Sequence, residues 1–357
     1  MKLDMLQSLY ERTGPFASVY LDTGRAVPQG EQRLELRSKA MAERLEGADQ
    51  ATLDALEAVF TDVNLAAPGR AAFACGGEVL YTEALPDKPR RETARWSPLP
   101  HVMPLLAQRG ENVPHVQVII DHTGADVIVV GEGSPRRTTI QEEDWPLQKT
   151  AQGGWSQRRY ENSVEEAWAR NARAVAEAVD EEVRRMHAEL VIVAGDPQSR
   201  PLLQQNLGQE ALDRLVVVDK GSRAAGTDLF PFHKEVEAAI DGWLDRRQDA
   251  LMERYGEALS KGLAAEGLPA VTKAFREGRV DTLLMVDHSD ADGMVWIGPE
   301  GGQLATDREE LREWGVSEPV EERADAALAR AVAMTNAHLV FVPRLEAPDE
   351  VAALLRF

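Results

Sequence analysis

Two runs rich in β-branched residues, Val116 to Ile120 and Leu190 to Ala194, flank a long amphipathic stretch, and this alternation constrains the fold more than any other feature of the chain. From Val164 to His187 the residues Trp168, Ala172, Val175, Val179, Val183 and Met186 recur at helical spacing and mark one apolar face. Ser163 and Glu166 have the spacing of a capping box, so the helix is expected to start there. The first run turns through Asp121-His122-Thr123-Gly124 and returns along Ala125 to Val130, a strand-turn-strand unit. Leu215 to Val218 is a further short apolar run. Short apolar strands alternating with helices predict a mixed α/β sheet buried on its faces.

The pattern extends in both directions. The 357 residues exceed what one hydrophobic core organises. Upstream, Ala17 to Leu21 and Ala71 to Cys75 read as strands, and a Gly76-Gly77 turn joins the second to Val79 to Tyr81. Helical spacing fills Glu31 to Phe60, with a break near Gly47. The polar stretch Gln108 to Asn112, followed by Pro114, reads as a linker. Downstream, a polar helix from His233 to Glu257 precedes strands at Leu283 to Val286, Val295 to Ile297 and Leu339 to Val342, with a helix from Ala324 to Asn336. The expected organisation is three α/β domains at 1–110, 111–257 and 258–357.

Charge and cysteine usage exclude several classes. Forty basic against sixty acidic residues give a net charge of −20, which disfavours a broad cationic face for naked nucleic acid, and no DNA partner is expected. The single cysteine, Cys75, excludes an intrachain disulfide framework and a cysteine-built zinc site, and reads as a small buried side chain. No apolar run approaches the roughly 20 residues that span a bilayer, and the first residues lack a signal-peptide pattern. A cytoplasmic location without membrane association is expected. The seven histidines form no i, i+4 pair, and neither a metal nor a cofactor is expected.

Against this acidic background one segment stands out. Gln148 to Tyr160 contains Lys149, Arg158 and Arg159 and no acid. Gly153 and Gly154 permit close backbone approach, the three cations suit phosphate contacts, and Trp155, among the polar neighbours Gln152 and Ser156, suits stacking on a base. By composition alone the same segment is also an ordinary solvated loop.

Paired glycines followed by Gln157 and two arginines, placed between a small strand module and a long Glu/Arg-rich helix, resemble the peptidyl-transferase-centre loop of archaeo-eukaryotic class I release factors. The chain is similar to the bacterial family related to those factors, which includes Balon-like and actinobacterial release-factor-like proteins and a peptidyl-tRNA hydrolase branch. Val116 to Asp126, Asp281 to Leu284 and Val351 to Phe357 carry the rest of the likeness. The resemblance implies an RNase H-like middle domain carrying a Gly-Gly-x-x-Gln loop and an L7Ae-like last domain. It further implies a ribosome-associated factor that enters the A site of idle or stalled 70S ribosomes, in hibernation or rescue, contacting rRNA or tRNA. Elongation factor Tu is an implied partner. Gly153, Gly154, Trp155 and Ser156 would form the peptidyl-transferase-centre loop, and Lys149, Arg158 and Arg159 would meet rRNA or tRNA phosphates. Gln157 would be catalytic if the protein hydrolyses peptidyl-tRNA, the alternative function. Here Trp155 and Ser156 separate Gln157 from the glycines, so the family's contiguous motif is spaced. The Asn-Ile-Lys-Ser element that reads stop codons is absent from the sequence, which leaves codon-independent entry.

Two other patterns compete. Gly301-Gly302-Gln303 is a contiguous Gly-Gly-Gln, yet acidic residues surround it and Gly298-Pro299 precedes it, as in a strand-to-strand turn. Asp121, Asp196 and Asp219 each end an expected strand, where a metal-dependent phosphohydrolase would hold a divalent cation, although aspartate there is also ordinary turn chemistry.

Overall fold

The computed structural model describes all residues except 25–29, 63, 64, 66, 86, 112, 132–134, 142–153 and 288–292. In chain order its elements begin α1 (Gln7–Tyr10), β1 (Phe16–Asp22), α2 (Gly30–Arg44), α3 (Gln50–Thr61), β2 (Gly69–Cys75), β3 (Glu78–Leu85), β4 (Thr93–Ser97) and α4 (Met103–Glu111). Next come β5 (His115–Asp121), β6 (Gly124–Val130), β7 (Arg136–Gln141), α5 (Gly154–Met186), β8 (Leu190–Gly195), α6 (Ser199–Asn206), α7 (Gln209–Leu212), β9 (Leu215–Val217) and α8 (Phe230–Ser260). The chain ends with β10 (Ala264–Glu266), α9 (Gly267–Arg276), β11 (Val280–Met285), β12 (Met294–Ile297), β13 (Leu304–Ala305), α10 (Arg308–Glu313), β14 (Val320–Arg323), α11 (Ala324–Thr335), β15 (His338–Phe341) and β16 (Val351–Leu355). The fold is mixed α/β, as the strand and helix patterns predict. Two compact units result, one of residues 1–111 with 248–357, the other of residues 112–247.

In the first unit, β1 is central to an antiparallel sheet of order β3-β2-β1-β4, and all its residues are buried because both faces are covered. Ala17, Val19 and Leu21 point to Leu34, Met41 and Leu45 of α2 and to Leu56 and Phe60 of α3. Phe16 and Tyr20, one residue out of phase, join a core that contains Leu105 and Leu106 of α4 and the alanine-rich face of α11. The expected first and third stretches thus share one hydrophobic core. The C-terminal strands form a sheet of order β10-β16-β11-β15 and a smaller one of order β13-β12-β14. Asn336 caps α11 in the left-handed conformation at φ 58°.

The 112–247 unit is built on a five-stranded sheet of order β7-β6-β5-β8-β9, with β5, β8 and β9 mutually parallel and β6 and β7 antiparallel to their neighbours. Alternation along β5 sends Val116, Val118 and Ile120 toward Val175, Val179 and Val183 of α5. Ile119 faces the other way, with Ile192, toward Phe232 and Val236 of α8. Burial on both faces explains why β5 and β8 read as continuous apolar runs. Each fully buried Val is worth about 1.5–3 kcal/mol, so α5 is held by packing from Ala167 to Val183.

Three local expectations need correction. The helix expected at Val164 starts at Gly154, and Ser163 and Glu166 lie inside it. The stretch between contains Gln, Arg and Glu, which are good helix formers, so the capping-box spacing there marks no terminus. Of the expected linker, Gln108 to Glu111 are the end of α4, in which Leu105, Leu106 and Ala107 are buried, and Asn112 lies outside the described residues. The helix expected from His233 begins at Phe230 and continues to Ser260.

Candidate functional site

The acid-free segment, 148–160, follows Glu142, Glu143 and Asp144 after β7 and runs into α5. Lys149 and Gly153 lie outside the described residues, while Gly154, Trp155, Ser156, Gln157, Arg158 and Arg159 form the backbone of the first turns of α5. The expected loop is therefore helical from Gly154 onward. No acidic residue lies in the first turn of this helix. Negative charge near that end of a long helix is favoured by the macrodipole, and the two arginines add to the preference.

The β5–β6 turn lies beside the end of β7, where Gly124 pairs with Gln141. Asp121 Oδ1 accepts from Thr123 N at 2.7 Å, Gly124 N at 3.0 Å and Arg223 Nη1 at 2.7 Å. Asp196, after β8, accepts from Gln198 N at 2.8 Å and Ser199 N at 2.9 Å, and His122 Nε2 lies 3.4 Å from it. Burial works against the charge of Asp196, but the Ser199 and Gln198 amides outweigh it and hold the carboxyl below its usual range. Asp219 is exposed, with Arg200 Nη1 3.5 Å away. The three strand-end aspartates are engaged as turn, cap and ion-pair residues. Among the described residues no three His, Cys, Asp or Glu side chains are grouped as a metal site requires.

Sequence periodicity counted Trp168 only as part of an apolar face. In the structure its ring stacks on His122, with centroids 3.8 Å apart and planes 15° from parallel. The nearby Asn171 is buried and donates from Nδ2 to the Asp121 carbonyl at 3.3 Å. A polar residue on the buried face of an amphipathic helix was the available signal for this contact.

Gly301-Gly302-Gln303 occupies the turn between β12 and β13, as its composition predicts. Gly298 N donates to the Gln303 carbonyl at 2.8 Å, and Gln303 Oε1 accepts from Glu300 N at 3.1 Å. The glutamine thus supports its own turn. Cys75 ends β2 half-buried, with Sγ 3.6 Å from the Thr13 carbonyl, and burial pushes its thiol up. No helix among the described residues is long and apolar enough to cross a membrane.

Bacterial archaeo-eukaryotic release factor family 2 matches residues 114–261, a span that contains the β5–β6 turn, the acid-free segment and α5. The Mycobacterium tuberculosis protein Rv2629 is 32% identical over 371 positions, covering 100% of this chain and 97% of its own length. MT2704, from another strain of that organism, matches equally. Among solved structures, a model of ribosome-bound archaeal Pelota and ABCE1 is similar over 100% of this chain and 95% of its own, at 16% identity and TM-score 0.42. Saccharomyces cerevisiae Dom34, a translation termination-like factor, is similar over 81% of this chain and 79% of its own, at 12% identity and TM-score 0.40. With the family match centred on the unit that carries the candidate segment, and a relative aligned from end to end, this chain belongs to the bacterial archaeo-eukaryotic release factor family.

Proposed function

We propose that the protein is a ribosome-associated translation factor that enters the A site of idle or stalled 70S ribosomes and directs the 149–159 segment at the peptidyl-transferase centre. The observation that carries this reading is the family match over the unit in which an acid-free, doubly glycine-containing segment opens a long helix. Lys149, Arg158 and Arg159 meet rRNA or tRNA phosphates, while the acidic remainder of the chain limits contact with RNA elsewhere. Gly153 and Gly154 allow close approach, and Trp155 and Ser156 line the same segment. An RNase H-like identity for the 112–247 unit is supported by its strand order, in which the first three strands are antiparallel neighbours and the last two run parallel to the first. An L7Ae-like identity for the C-terminal stretch, and elongation factor Tu as a partner, belong to the same proposal. Co-sedimentation with 70S particles across a salt series tests it. Arg158→Ala/Arg159→Ala should pellet less and show a shallower salt dependence, and unchanged pelleting refutes the phosphate contacts.

A second reading makes the protein a peptidyl-tRNA hydrolase. It is supported by the position of Gln157 in the same helical stretch that begins at Gly154. On a ribosome the rRNA already places the ester, so the factor need add only an oriented amide and a water. Peptide release from stalled nascent-chain complexes, abolished in Gln157→Ala, supports hydrolysis. Binding without release supports a blocking factor in hibernation or rescue.

A further inference from the structure

The turn Asp121-His122-Thr123-Gly124 touches both elements that flank the candidate segment. On the β7 side, Gly124 pairs with Gln141, the last residue of that strand, and Asp126 pairs with Thr139. The Asp126 carboxylate accepts from Arg137 Nη2 at 2.8 Å and from Thr139 Oγ1 at 2.9 Å, both on β7. On the α5 side, the Asp121 carbonyl accepts from Asn171 Nδ2, and the His122 ring lies flat against Trp168.

His122 is itself held from a third direction. Its Nδ1 is 3.0 Å from Ser199 Oγ, at the start of α6, and its Nε2 is 3.4 Å from Asp196 Oδ2. Arg223 closes the group by donating to Asp121 Oδ1, with its Nε 3.7 Å from Asp126 Oδ1. Gly195 has φ 118°, and a Cβ there would lie 1.9 Å from the Ile120 carbonyl, so the end of β8 runs close against the end of β5. The ring therefore has a fixed seat, and Trp168 rests on it.

The lever arm makes this contact matter. Gly154 and Trp168 belong to one continuous helix. At 1.5 Å per residue they are about 21 Å apart along the axis, so a tilt of about 10° at Trp168 displaces Gly154 by about 4 Å. Displacements of about 1 Å are enough to impair chemistry between positioned groups.

We propose that His122 is a positioning residue: its stack with Trp168, backed by Ser199 and Asp196, sets the direction in which the first turns of α5 leave the sheet relative to β7. The functional weight of this role rests on the reading of the 149–159 segment given above, but the geometric role does not.

The test is made without ribosomes, so that the two ideas fail separately. In a Cys75→Ala background, nitroxide labels are introduced through Thr138→Cys on β7 and Gln157→Cys on α5, and the distance distribution is measured by pulsed electron paramagnetic resonance. His122→Ala is expected to broaden or shift the distribution by several ångström. His122→Phe, which keeps a flat ring against Trp168 but gives up the contacts with Ser199 and Asp196, is expected to restore it in part, whereas His122→Leu, which fills the space without a flat ring, is not. Trp168→Leu provides the same reading should His122→Ala not fold. A distribution unchanged in His122→Ala or, where that variant does not fold, in Trp168→Leu overturns the proposal, as does a His122→Phe distribution no closer to wild type than that of His122→Leu. Failure of Arg158→Ala/Arg159→Ala to alter 70S pelleting would instead count against the ribosomal reading and leave this result standing.

Discussion

The backbone amide of Leu99 donates to Glu322 Oε2 at 2.9 Å, across a sequence separation of 223 residues. Both groups are buried, and His101, two residues on, lies with its Nδ1 3.8 Å from Asp325 Oδ2. This polar cluster ties the N-terminal sheet to the segment that opens α11, inside the core that the two stretches share. A buried carboxylate accepting a backbone amide satisfies a donor that the apolar core could not.

The cluster makes stability depend on pH. Burial pushes His101 down to about 4, against the attraction of Asp325, with Arg95 and Arg323 lowering it further. A histidine that resists protonation when folded binds protons more readily unfolded. Its contribution is therefore complete above the unfolded value of about 6.5 and is lost as pH falls from there toward 4. Glu322 is shifted the other way, raised by burial, so it offsets part of the loss near the bottom of that window. Urea unfolding of wild type and His101→Gln at pH 7 and pH 5 isolates the histidine. The wild-type chain should lose on the order of 2 kcal/mol more than the variant over this interval.

Gly195 should not tolerate a side chain. Its φ of 118° is unfavourable for alanine, and a Cβ would meet the Ile120 carbonyl, a backbone atom that cannot swing away. Gly195→Ala is expected to cost more than about 3 kcal/mol and to abolish soluble expression or lower the melting temperature sharply. Gly278→Ala, at φ 67° with open space around it, should cost only about 1–2 kcal/mol.

Arg223→Ala should destabilise the 112–247 unit. The Arg223 side chain is 7% exposed and lies between Asp121 and Asp126. Its removal leaves two partly buried carboxylates with fewer partners, at a cost of about 2 kcal/mol. Hydrogen exchange should report it as faster opening of the β5–β6 turn, with the β10–β16 sheet unaffected.

The two Gly-Gly-Gln-type sequences should behave oppositely. Gln303→Ala removes the acceptor for Glu300 N and should cost about 1 kcal/mol of stability, with 70S pelleting and peptide release unchanged. Gln157→Ala should leave stability nearly intact and affect only ribosomal readouts. Altered release in Gln303→Ala would reverse the assignment.

The amino-acid pattern alone determined the type of the long apolar strands and amphipathic helices. Val116 to Ile120 and Leu190 to Ala194 became β5 and β8 because β-branched runs fit a sheet buried on both faces, and the Gly47 break correctly separated α2 from α3. The charge distribution likewise singles out the acid-free segment. Polar strands carry no such pattern: β7, with the sequence Arg-Arg-Thr-Thr-Ile-Gln, is a sheet edge whose pairing comes from its neighbour and not from its own hydrophobicity. Only the tertiary structure decided that β5 lies beside β8, that residues 1–111 and 248–357 share a core, and that His122, Asn171 and Arg223 converge on one turn. Local pattern records the period of burial along a segment, whereas the shared core joins residues as distant as Leu3 and Ala353, and nothing in a single segment encodes its distant partner.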